Sequence, residues 1–191
     1  MKSRCATLWA AALLFVLPST LAQAWDVKVD EDPMSDKKVA FINSPSSGSS
    51  AFNYQVLAFK CWEGDPQETL VIFTTSETWD NSAEYATVIP VKIRVDKNEP
   101  LSVLMVPSNL GGNFSATIPA GLDPQVFDII RQIRTAKKHV AMEIGTVVLK
   151  FPATRSQKSV DTFTATCRID LSKPLASDGK EEETSPSPDS Q

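Results

Sequence analysis

Few residues in this chain combine a reactive type with a useful spacing, and the cysteines come first. Cys61 closes the alternating stretch Gln55-Val56-Leu57-Ala58-Phe59-Lys60-Cys61, and Cys167 closes a second, Thr162-Phe163-Thr164-Ala165-Thr166-Cys167. Two distant cysteines and a single histidine, His139, fall short of the four ligands that a structural zinc takes. A disulfide between two buried strands is the expected chemistry, with no metal and no cofactor. Asp32 and Asp36 lie four residues apart around a proline. A calcium loop needs more oxygen ligands at tighter spacing, so turn formation and capping are the better use of these two carboxylates. His139 has no second histidine and no nucleophile motif beside it, and is expected to stabilise a helix C-terminus. Arg131, Arg134 and Lys138 share a helix face that would suit an anion, although a solvated face is the ordinary use of such a set. No residue is expected to be catalytic.

The aromatic residues offer binding chemistry instead. Trp25 and Trp62 are expected to pack. Trp79 and Tyr85, flanked by Asp80, Asn81 and Glu84, are the expected contact residues for a partner.

Those residues need a compartment and a scaffold. Met1-Lys2-Ser3-Arg4 carries two positive charges, and an apolar run follows from Leu8 to Leu17. Ala22-Gln23-Ala24 has the small-x-small form that a signal peptidase cuts after. Residues 1–24 are therefore expected to be a signal peptide, cleaved after Ala24, that sends the chain to the periplasm. The apolar run is about half of the ~20 residues that span a bilayer, so no transmembrane segment is expected in the mature chain. Cys5 leaves with the signal, and the remaining pair enters a compartment that oxidises thiols.

The formal net charge is −4. Losing Lys2 and Arg4 takes it to −6, of which Asp178, Glu181, Glu182, Glu183 and Asp189 against Lys180 hold −4. The near-neutral body gives no electrostatic reason to bind nucleic acid. Residues 177–191 hold no apolar side chain and are expected to be a disordered acidic tail. Residues 25–176 are about the right length for a single domain with an adequate core.

Alternation and turn signals predict roughly ten short strands over that body. Trp25 to Asp30, Val39 to Ile42, Asn53 to Cys61, Leu70 to Phe73, Val91 to Asp96, Leu101 to Val106, Phe114 to Ile118, Val140 to Ile144, Val147 to Phe151 and Val160 to Cys167 carry the signal. One helix interrupts them: Asp123 is placed to cap it, Pro124 suits its first position, and Val126, Phe127, Ile130 and Ile133 form its apolar stripe. The expected fold is an antiparallel β-sandwich with one helix and one disulfide, with a closed or half-open barrel as the alternative.

Trp25, the Asp32-Pro33-Met34-Ser35-Asp36-Lys37 motif, Cys61, Arg94-Val95-Asp96, the late helix and Cys167 occur in one order. That order resembles small exported bacterial proteins with a W…DPMTDK…C…RxD…C pattern, some of them VasI-like and associated with type VI secretion. Ser35 stands where that pattern has threonine. The resemblance implies a periplasmic all-β module without an established catalytic role. The expected function is thus a non-enzymatic binding or accessory protein whose partner is a protein or an envelope component. The alternative is an inhibitor of a cell-wall hydrolase such as lysozyme, with 74–87 or 107–113 as its protruding loop.

Overall fold

The structure is a computed structural model, and it describes residues 24–50, 52–76, 87–110 and 113–172. Expectations for the signal peptide, for Trp79 and Tyr85 and for the acidic tail lie outside these residues. Among the described residues, no helix is long and apolar enough to cross a membrane.

Among the described residues, nine strands and two helices follow one another. They are β1 (Asp26–Glu31), β2 (Lys38–Pro45), β3 (Gln55–Trp62), β4 (Asp65–Thr75), β5 (Ile89–Val95), β6 (Leu101–Leu110), β7 (Asn113–Pro119), α1 (Gln125–Thr135), β8 (His139–Ile144), β9 (Val147–Pro152) and α2 (Ser156–Cys167). Every strand pairing is antiparallel, in the order β1-β2-β3-β4-β7-β6-β5-β8-β9. The strands thus form one curled sheet, a half-barrel, rather than the two packed sheets of the expected sandwich. The curl brings its ends together, because Ser47 N–H beyond β2 donates to the Lys150 carbonyl of β9 at 2.7 Å. Alternation along a strand reports that one face is buried, but not whether the cover is a second sheet or a pair of helices.

Here the cover is helical. Phe59, Phe73, Phe151, Ile93 and Met105 from the sheet join Phe127, Ile130, Ile133, Val160 and Phe163 from the helices in one core. Trp25, fully buried, packs its ring 6.0 Å from that of Phe59, and its carbonyl accepts the Ser159 hydroxyl at 3.0 Å. Its expected packing role is met. Helix α1 begins as its sequence predicts, with Asp123 Oδ1 accepting the Gln125 N–H at 2.9 Å and Pro124 in helical geometry.

The stretch that ends in Cys167 differs from its expectation. Thr162 to Cys167 alternates like a strand, yet it is the second half of α2. The side chains α2 buries are Ser156, Ser159, Val160, Phe163 and Cys167, a spacing of three and four that marks one helical face. The intervening threonines satisfy their hydroxyls locally: Thr162, Thr164 and Thr166 each donate to the carbonyl four residues earlier, at 3.1, 2.9 and 2.8 Å. Tertiary burial of that face overrides the β preference of Thr and Phe.

The disulfide itself is present. Cys61 and Cys167 are bonded, both fully buried, with Cα atoms 6.1 Å apart. It joins the end of β3 to the end of a helix rather than strand to strand.

Candidate functional site

The motif from Asp32 to Lys37 forms the connection between β1 and β2. Asp32 organises it: Oδ1 accepts the Met34 N–H at 2.9 Å, and Oδ2 accepts the Ser35 hydroxyl at 3.0 Å. Its carbonyl takes the N–H groups of Ser35 and Asp36, and its own N–H donates to the Lys37 carbonyl. Pro33 fixes one φ, and Asp36 adopts a left-handed φ of 54° that aspartate tolerates better than most residues. The Met34 N–H, then the Ser35 hydroxyl, and more weakly the charge of Lys60 hold the Asp32 carboxyl below its ordinary value, against a small contribution from burial. This turn presents Met34 with 91% of its surface exposed.

The β3–β4 turn lies against it. Gly64 takes the positive φ of 81° that closes the connection. Lys37 Nζ reaches Asp65 Oδ2 at 2.5 Å, and the Glu63 N–H donates to the Lys38 carbonyl at 2.8 Å. Arg168, just past the end of α2, donates to Glu63 Oε1 at 2.7 Å, with the disulfide directly behind it. Two hairpin turns and a helix end therefore meet at one corner, where the disulfide bonds the end of β3 to the end of α2.

Ser35, Lys37, Trp62, Asp65 and Glu68 line an open pocket of about 250 Å³ at this corner. Trp62 is half-buried, and Lys60 Nζ sits 4.3 Å from its ring centroid. Trp62, expected to pack, instead lies outside the core cluster and faces this pocket. The missed signal was parity. Phe59 and Cys61 point into the core, so Lys60 and Trp62, one residue out of phase, must point away from it.

The remaining candidates fall elsewhere. His139 begins β8 rather than ending α1, and its N–H donates to Asp96. Asp96 Oδ1 and Oδ2 accept the backbone N–H groups of Lys137, Lys138 and His139 at 2.7 to 3.0 Å. Burial pushes the Asp96 carboxyl up, but those three donors and the nearby His139 ring outweigh it and leave the group below its ordinary value. The basic face of α1 is largely spent on structure. Arg131 pairs with Asp128 and donates to the Leu171 carbonyl, and Arg134 pairs with Asp161. Among the described residues, no group of three or more histidine, cysteine, aspartate or glutamate side chains is placed to hold a metal ion.

No family model, curated protein or solved structure matches this chain.

Proposed function

We propose that the chain is an exported, non-enzymatic binding protein of the periplasm, and that it docks a protein or envelope component at the corner built by the Asp32–Lys37 turn, Trp62 and the end of α2. One observation carries this reading: a turn held by its own hydrogen bonds presents Met34 to solvent beside an aromatic-lined pocket, on a base that a disulfide fixes. A surface ordered before binding loses less entropy when it binds, so the side chains it offers contribute more to affinity. The carboxylate of Asp32 is occupied by the turn and that of Asp65 is paired with Lys37, which favours recognition over acid–base chemistry. The disulfide supports an oxidising compartment. The Asp32-Pro33-Met34-Ser35-Asp36-Lys37 motif is the basis for proposing a secretion accessory role.

The test is affinity capture from envelope extract with the mature chain and with Met34→Ala and Trp62→Ala. The same species should be retained by the parent and lost by both variants. Retention by all three would refute the site. Inhibition of a cell-wall hydrolase is the second reading, favoured by the rigid, protruding Met34 turn rather than by the loops expected from sequence, whose residues 77–86 and 111–112 lie outside the described chain. A lysozyme assay with and without the parent protein decides it.

A further inference from the structure

Building on the binding role proposed above, we propose that the pocket between the Asp32–Lys37 turn and β4 receives a cationic side chain, a lysine ammonium or an arginine guanidinium, from a partner protein. Charge balance gives the first argument. Lys37 is committed to Asp65, while Glu68, exposed on the pocket wall, has no hydrogen bond or ion pair among the described residues. The five lining residues therefore sum to one negative charge, and the Lys60 ammonium at the Trp62 ring forms no ion pair with it among the described residues.

The ring gives the second argument. An aromatic face attracts a cation through its quadrupole, and Lys60 Nζ already occupies such a position at 4.3 Å from the Trp62 centroid. The chain's own ammonium shows which chemistry this environment accommodates. Size gives the third. About 250 Å³ lies below the roughly 300–1,000 Å³ of small-molecule sites but accommodates one long side chain. Met34, protruding from the same turn as Ser35, supplies an apolar contact next to the charged one, and that pairing suits a folded partner surface better than a free metabolite.

The experiment is a titration of the 15N-labelled mature protein, followed at the Trp62 indole N–H and the Ser35 and Glu68 amides. The probes are Nα-acetyl-lysine methylamide, its norleucine counterpart with the same stem and no charge, and chitotriose. The lysine compound should give saturable shifts that weaken as salt is raised, and the norleucine compound none. Glu68→Gln should weaken binding by roughly two- to fivefold, the range of an exposed ion pair. Lys60→Met keeps the apolar stem but removes the competing ammonium, and should strengthen binding. Both positions are outside the core, and the amide spectrum of each variant verifies its fold. Equal shifts with norleucine, shifts with chitotriose alone, or an unchanged affinity in both variants would overturn the proposal. If the lysine compound fails while Met34→Ala still abolishes capture, this inference falls and the binding role stands. If capture is also indifferent to Met34 and Trp62, both fall.

Discussion

Replacing both bridge residues, Cys61→Ala with Cys167→Ala, removes a crosslink that spans 106 residues of sequence. Closing a loop of that length lowers the entropy of the unfolded chain by an amount equivalent to about 5 kcal/mol at 25 °C. Alanine leaves no polar atom in either fully buried site, so the native state loses only the sulfur contacts. Domains are commonly stable by about 5–15 kcal/mol, which places the double variant near the edge of folding. In a domain of this size, about 5 kcal/mol corresponds to a fall in melting temperature of roughly 10–20 °C. Urea unfolding followed by tryptophan fluorescence and far-ultraviolet dichroism, on parent and double variant, measures the difference. Phe163, Val160 and the Arg168–Glu63 pair still hold α2 against the sheet, so the variant should unfold in one step at a lower midpoint. A loss below about 1 kcal/mol would show that unfolded-state restriction is not a main contribution of the bridge.

Asp96 accepts three backbone N–H groups at a left-handed φ of 52°, so Asp96→Ala should cost about 2–3 kcal/mol in urea unfolding, and Asp96→Asn, which keeps one acceptor and tolerates that φ, clearly less. Because the folded Asp96 carboxyl lies below its ordinary value, its stabilisation is present above about pH 4 and is lost as pH falls through the folded value. The stability gap between parent and Asp96→Asn should therefore close in acid. In α2, Phe163→Ala should cost about 3–5 kcal/mol, whereas Thr162→Ala, on a helix surface, should change stability by less than about 1 kcal/mol. A large loss from Thr162→Ala would argue for the strand that the sequence pattern suggests.

What was legible in the sequence follows local periodicity. The strands around Cys61, Val91 and Val140, the capped start of α1 and the bridge partner all rest on signals within a few residues, or on elimination. The sheet's closure does not. One curled sheet lined by two helices and two sheets packed together both bury alternate residues, and only the register between distant strands separates them. Helix α2 was hidden for a different reason, since Thr-Phe-Thr-Ala-Thr-Cys satisfies a period of two while Ser156, Ser159, Val160, Phe163 and Cys167 satisfy 3.6. The longer window held the answer. The corner was half visible: the Asp32 turn was recognised as a turn, but Trp62 was assigned by residue type instead of by its phase relative to Cys61. Glu68 carried no local signal, because its lack of a partner depends on where Lys37 and Asp65 meet.

The disulfide-backed corner is proposed as the face the protein uses. Photo-crosslinking in intact cells addresses it most directly, with a benzophenone amino acid placed at position 34 and, as a control, at the exposed position 102 on β6, three strands from Trp62 in the sheet. Position 34 should yield one discrete adduct that disappears when Trp62→Ala is added, while position 102 yields none. Equal adducts from both positions, or an adduct from 34 that persists without the Trp62 ring, would contradict the assignment.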